Sequence, residues 1–280
     1  MVRCLSESGF IKLTILDQPI VIKVGTGVLT REEDASLDGA ALLRLVNAIA
    51  QAVGDHGKCI LVSSGAVGAG VSAFGLTSYP QELDLKQAVS AVGQTRLMHA
   101  YENLFGHFRM NVAQILRTAD DFRHRRRRAN TKAVLMRLLN EPRVVPIVNQ
   151  NDAVAFQHYS VGDNDMLAAR IAELVGAKMM VIFSSIDGLY PPGGLDGEII
   201  KEVQDVNEVM KYAQSDQRGG NLSTGGMDSK LKAIRRAVRA GIETCIANGR
   251  EPERLEEIIH GGGICTRFRP AVPATQFQVS

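Results

Sequence analysis

An α/β protein built on a mostly parallel sheet is predicted by three features of the 280-residue sequence. Short apolar runs alternate with amphipathic segments along the chain, the pattern of βα units rather than of meanders. Glycines and short polar residues gather just after the carboxyl ends of those runs, where open α/β sheets bind ligands. No internal repeat or long linker interrupts the alternation. Hydrophobic residues make up 45% of the chain, enough for one large domain or two lobes.

Taken in order, residues 1 to 18 read as an irregular lead-in. Ile20 to Val24 is an apolar strand with Lys23 embedded in it, running into Gly25-Thr26-Gly27. Glycines there let backbone N–H groups approach a ligand, and a lysine beside them is a ready phosphate clamp. The competing reading is an edge-strand lysine facing water. Asp38 to Val53 carries Leu42, Leu45, Val46, Ile49 and Val53 on one face and is predicted helical. Cys59 to Ser63 is the next strand, and it empties into Ser63-Ser64-Gly65-Ala66-Val67-Gly68-Ala69-Gly70. Small residues there either leave room for a ligand or allow tight helix-on-strand packing, and both readings stand. The order GxxGxG after a second strand is not a dinucleotide fingerprint.

A long helix is predicted over Leu85 to Phe108, with Ala88, Val89, Val92, Leu97 and Leu104 among its apolar positions, then a strand over Asn111 to Leu116. The block Arg123 to Arg128 precedes a helix over Ala129 to Leu139. With a net charge of +2 and no interleaved aromatics, a solvated face is favoured over a nucleic-acid contact, and anion binding or a subunit contact could also use it. Val144 to Val148 reads as a buried strand. After it come Asn149, Gln150, Asn151 and Asp152, and then Asp163, Asn164 and Asp165 ahead of a helix over Met166 to Leu174. Turns rarely need so many short amides and carboxylates, so a polar pocket with a charge-orienting carboxylate is expected.

Met179 to Phe183 is a strand followed by Ser184-Ser185-Ile186-Asp187-Gly188-Leu189-Tyr190 and a turn-rich segment, Pro191 to Gly197. Ser223 to Lys230 opens a helix that runs to Ala240. Its glycine pair, Gly225-Gly226, offers free N–H donors at the positive helix pole, and Lys230 lies in reach of the same anion. The segment is not a Walker A loop, because Lys230 precedes Leu231. Glu243 to Ala247 is a late strand, Pro252 to Ile259 a helix, and the end from Pro270 a loose tail.

Composition excludes several classes. Cys4, Cys59, Cys245 and Cys265 form no CxxC pair and the six histidines lack ligand spacing, so neither a disulfide frame nor a zinc site is expected. No apolar run approaches the ~18 residues of a membrane span, and the N-terminus does not read as a signal peptide. A soluble, cytoplasmic protein is expected.

KVGTG, SSGAVGAG, NQND…VGDND and TGGMDSK, in this order and spacing, resemble the amino acid kinase superfamily, and within it the branch that phosphorylates glutamate. The match covers about residues 19 to 268. The resemblance implies a three-layer αβα sandwich around an open, mainly parallel eight-stranded sheet. It also implies an acceptor-binding lobe over about 19–175 and an ATP-binding lobe over about 176–268, with residues 269–280 as a tail. Many bacterial members add a C-terminal PUA domain, so a short form lacking it is expected. The implied reaction is ATP-dependent phosphorylation of the glutamate γ-carboxylate, the first step of proline biosynthesis, with Mg²⁺ bound mainly through the ATP phosphates. A homo-oligomer, proline feedback and channelling to glutamyl phosphate reductase are implied as well.

By position, Lys23 and Lys230 resemble the two lysines that neutralise the transferring phosphate, and Asp165 the aspartate that orients them. Ser64, Gly65, Asn149, Asp152 and Asn164 resemble the glutamate site. Lys23, Gly25, Ser184, Ser185 and the run Thr224, Gly225, Gly226, Met227, Asp228, Ser229 and Lys230 resemble the nucleotide site. The chain departs from the family at Gln150, usually Glu, at Ser184-Ser185, usually Thr-Asp, and at Gly27, usually Ser or Thr.

Overall fold

The computed structural model describes residues 18–154, 163–191, 197–215 and 226–270. In chain order they form β1 (Ile20–Val24), α1 (Thr26–Leu29), α2 (Gly39–His56), β2 (Cys59–Val62), α3 (Ala66–Val71), α4 (Leu83–Gly106), β3 (Asn111–Arg117), α5 (Arg125–Leu139), β4 (Val144–Gln150), α6 (Asp163–Val175), β5 (Met179–Ser184), β6 (Glu202–Val203), α7 (Val206–Ser215), α8 (Met227–Arg239), β7 (Glu243–Asn248), α9 (Leu255–Ile259) and β8 (Thr266–Phe268). The lead-in over 1–17 and the tail over 271–280 lie outside the described residues.

The sheet has eight strands in the order β3-β4-β2-β1-β5-β7-β8-β6. Neighbours run parallel except β7 and β8, which are antiparallel. The expected mainly parallel eight-stranded sheet is therefore present. Its central strands are buried on both faces and read as continuous apolar runs, as parallel strands do. Ile20, Ile22 and Val24 point into one core with Leu45, Ile49, Leu97 and Phe105. Val21 points into the other with Leu135, Ile171, Ala172 and Ile234. The period-2 alternation of one strand thus feeds two cores, with α2, α4 and α9 on one face and α5, α6 and α8 on the other. That is the three-layer arrangement. Among the described residues no helix is long and apolar enough to cross a membrane.

Local signals account for most element boundaries. The Asp38 side chain accepts hydrogen bonds from Ala40 N (2.9 Å) and Ala41 N (3.1 Å), capping α2, and Gly57 with φ 82° closes it. Three readings need correction. The small-residue run after β2 forms α3 over Ala66–Val71, which packs helix on helix against α4 rather than helix on strand. Its Gly70 leaves no ligand space, because a Cβ there would lie 2.1 Å from the Val89 carbonyl oxygen of α4. Tight packing is the right reading for Gly70. The arginine block is not a loop face: Arg125 to Arg128 are the first turn of α5, which begins four residues earlier than Ala129. Val92 is exposed, and the buried stripe of α4 runs instead through Val89, Gly93, Leu97, Tyr101 and Phe105 at four-residue spacing.

Candidate functional site

Lys23 lies on β1, which is hydrogen-bonded to β2 on one side and to β5 on the other. The edge-strand reading is thereby overturned: Lys23 is central and 5% exposed. Its ammonium needs a counter-charge, and Asp165 supplies it, with Lys23 Nζ 2.7 Å from Asp165 Oδ1. Asp165 sits in the first turn of α6, where the helix dipole favours a carboxylate. Lys230, in the first turn of α8, reaches the same carboxylate from the opposite half of the chain, with Nζ 3.9 Å from Oδ2. All three are buried.

Two ammonium groups thus share one carboxylate, and the trio carries net positive charge. Burial lowers the Lys230 pKa below its ordinary value; Asp165 opposes that shift and Lys23 adds to it. Among the described residues no further donor meets either Asp165 oxygen in hydrogen-bond geometry. Gly25 follows directly, and a Cβ there would stand 3.4 Å from Lys23 Nζ and 3.5 Å from the Phe183 carbonyl oxygen. Glycine keeps that space open beside the ammonium.

Beside the trio lies a chain of amides. The Asn164 Nδ2 donates towards the Ser63 carbonyl oxygen (3.1 Å), Ser64 Oγ (3.0 Å) and Asn149 Oδ1 (3.0 Å). Asn149 Oδ1 also accepts from the Gln150 backbone N–H at 2.8 Å. A carbonyl only accepts and a backbone N–H only donates, so both amide orientations are set by the main chain. Asn164 Oδ1 is then left buried with no partner among the described residues. A buried acceptor without a donor is costly. Gly65 closes the wall with φ 92°, a left-handed conformation that suits glycine and lets α3 start straight after Ser64. Asp152 lies nearby, accepting at 3.4 Å from Ser90 Oγ of α4.

On the other side, Ser184 ends β5 and its carbonyl oxygen accepts from Gly249 N at 2.7 Å. Ser185 follows, partly buried. Gly226, exposed and with φ −48° and ψ 161°, precedes α8 without a side-chain cap hydrogen bond, and Ser223 lies outside the described residues. Asp228 is turned to Lys232, 2.6 Å away, and does not join the trio. Ser229 lies one residue before Lys230, partly buried. Thr224 and Gly225 lie outside the described residues.

Sequence reasoning missed the support for this site. Asn149 Nδ2 donates to Gln94 Oε1, and Gln94 Nε2 to Gln114 Oε1, each at 2.9 Å. Tyr101 Oη and Ser63 Oγ share a 2.8 Å hydrogen bond beneath the strand end. Ser90, Gln94, Leu97 and Tyr101 follow helical spacing along α4, so polar residues bordering an apolar stripe were the available signal. Asp187, which accepts from Asn248 Nδ2 at 3.0 Å, was legible only as a turn residue.

Comparison with known proteins bears on what the site does. Residues 18–248 match the model of the amino acid kinase family. The chain is 43% identical over 258 residues to the glutamate 5-kinase of Herpetosiphon aurantiacus, a match covering 91% of this chain and 69% of that protein. It is 41% identical over 254 residues to the glutamate 5-kinase of Geobacter sulfurreducens, covering 90% and 67%. Solved structures with the same fold include a UMP kinase from Ureaplasma parvum (TM-score 0.57, 16% identity, covering 90% of this chain and 99% of that one). The isopentenyl phosphate kinase of T. acidophilum also matches (TM-score 0.59, 15% identity, covering 89% and 99%).

Proposed function

The chain belongs to the amino acid kinase family, and from that premise we propose that it transfers the γ-phosphate of ATP to the γ-carboxylate of glutamate, the first step of proline biosynthesis. The observation that carries this reading is the buried Lys23–Asp165–Lys230 trio, set between the amide cluster and the start of α8. The nucleophile is a carboxylate, already ionised at neutral pH, so no general base is required. What the protein contributes is position and charge.

Lys23 and Lys230 would meet the transferring phosphoryl group from two sides, with Asp165 holding both ammonium groups in place. Ser64, Gly65, Asn149, Asp152 and Asn164 would hold glutamate, and the unpartnered Asn164 Oδ1 is suited to its α-ammonium. Ser184, Ser185 and residues 224–230 would hold the nucleotide. Among the described residues no three His, Cys, Asp or Glu gather to cage a metal. Mg²⁺ would be carried on the ATP phosphates, where it would neutralise charge on the oxygens the lysines do not reach.

The product is an acyl phosphate, which water destroys, so hand-over to glutamyl phosphate reductase and control by proline belong to the same proposal. So do a homo-oligomer and a cytoplasmic location, where ATP is available. The test is glutamate-dependent ADP release, with hydroxylamine trapping the acyl phosphate as the hydroxamate. Equal turnover with aspartate, acetylglutamate, uridylate or isopentenyl phosphate, or none with glutamate, would overturn the acceptor assignment.

A further inference from the structure

β7 and β8 are antiparallel neighbours, with Cys245 opposite Arg267 and Ile246 opposite Thr266. Cys265 precedes β8 and turns its side chain to the same core as Cys245. The register places Cys265, two residues from Arg267, on the same face of the β7–β8 pair as Cys245 and diagonal to it, and both thiols are free. The Arg267 guanidinium is 4% exposed and anchored: Nη1 pairs with Glu243, and Nη2 donates to the carbonyl oxygens of Ile258 (2.9 Å) and Gly262 (3.3 Å). The same Nη2 lies 3.8 Å from Cys265 Sγ.

We propose that Cys245 and Cys265 are a modification site, a thiol pair that hydrogen peroxide converts into an intrachain disulfide. The two sulfurs have different roles. The neighbouring Cys245 thiol and the charge of Arg267, 3.8 Å from Cys265 Sγ, lower the Cys265 pKa to about 7 against the effect of burial, while the Cys245 thiol is held well above its ordinary value. Cys265 is therefore the attacking thiolate and Cys245 the resolving thiol. Glu243, the one carboxylate facing the pair, is engaged by Arg267 and Arg269.

In the first step the Cys265 thiolate attacks one peroxide oxygen. An S–O bond forms, the O–O bond breaks, and hydroxide leaves and takes a proton to become water. In the second, the Cys245 sulfur attacks the sulfenic sulfur. The S–S bond forms, the S–O bond breaks, and hydroxide departs with the Cys245 proton as a second water. Two thiols are oxidised by two electrons and one peroxide is reduced to two waters.

The surroundings permit the short movement needed. Gly261 (φ 92°) and Gly263 (φ 73°) form the turn leading to Cys265, and Ile264 beside it is 47% exposed. Cys59 is the internal comparison: it is buried, and burial alone pushes it up to about 12.

The experiment uses the full chain with Cys4→Ser, which removes the thiol outside the described residues. Hydrogen peroxide is added and thiols are counted after denaturation, with cross-linked peptides mapped without reductant. Expected is the loss of two thiols, a peptide pair joining Cys245 to Cys265, and recovery with dithiothreitol. Cys265→Ser should slow thiol loss on the order of tenfold or more, and Cys245→Ser should leave a sulfenic acid at Cys265 that dimedone captures. The mapping of the parent chain needs no further variant, so a misfolded mutant cannot hide the answer. Absence of the cross-link there, or loss of thiols from Cys265→Ser at the unmutated rate, overturns the proposal.

Discussion

A lysine inside a parallel sheet has to be explained by its partner. An unpaired buried ammonium costs several kcal/mol, yet Lys23 sits mid-sheet because Asp165 faces it at 2.7 Å. Removing either lysine should leave the far-ultraviolet circular dichroism unchanged, since Asp165 keeps one partner, and should lower kcat by about 10²–10³-fold, or roughly 2.7–4 kcal/mol. The double variant should fall less than the product of the two, because both act on one phosphoryl group. Near-normal kcat in Lys23→Ala would move the chemistry elsewhere. Asp165→Asn leaves two ammonium groups facing each other and should lose both rate and thermal stability. The depressed Lys230 pKa has a definite pH consequence. Below its ordinary 10.5 the unfolded chain holds this proton and the folded chain begins to release it. The Lys230 contribution to folding stability therefore rises with pH through that window, while the rate that depends on its charge falls. A pH profile of kcat/KM should bend down below 10.5, and Lys230→Arg, always charged, should remove that bend at reduced kcat. Lys23 was legible because a charge within an apolar run stands out. Gln94 and Tyr101 were harder to read, because helical spacing beside an apolar stripe does not say which strand end they face.

At the scale of elements, the helices that carry a start signal were placed well and those without one were not. Asp38 announces α2, whereas α5 opens on four arginines with no side-chain cap. Positive charge at a helix N-terminus opposes the dipole, so the sequence argued against the helix that forms. Asp120, Asp121 and Glu173 offset part of the conflict through ion pairs to Arg123, Arg127 and Arg128. Replacing Arg125 with Asp and Arg126 with Glu should accordingly raise stability by about 0.3–1 kcal/mol each, read as a higher melting temperature, with nucleotide KM unchanged. A loss of nucleotide affinity would show that this face serves the active site. Helix α3 is glycine-rich and exists through packing: Gly70 lies against Val89, and a Cβ on Gly93 would come within 1.8 Å of the Ala66 carbonyl oxygen. Gly93→Ala should cost about 1–3 kcal/mol by overpacking. Gly54→Ala in α2 meets nothing within 4 Å and should instead gain roughly 0.5–1 kcal/mol. Urea midpoints of the two variants should therefore move in opposite directions. Strands β6 and β8, two and three residues long, are too short to show a period at all.

Over the whole molecule the sheet divides the work. The amide cluster gathers at the carboxyl ends of β2 and β4, and Ser184 with the start of α8 lies on the β5 side of β1. Asp152→Ala should thus raise the KM for glutamate more than that for ATP, and the reverse split would exchange the two halves. By itself the sequence determined the α/β class and six of the eight strands, and it singled out Lys23, Asp165, Asn164 and Lys230 as the candidates that the fold brings together. Strand periodicity, glycine turns and polar clusters at strand ends are local signals that survive without coordinates. Tertiary structure brings Lys23 and Lys230, 207 positions apart, to one carboxylate, a convergence that the family resemblance implied and no local signal shows. It also decided that Gly70 serves packing rather than a ligand, and that Cys245 and Cys265 share one face of the β7–β8 pair. Each depends on which elements become neighbours in the sheet, and strand order is set by the burial of two cores at once, a property of the folded whole.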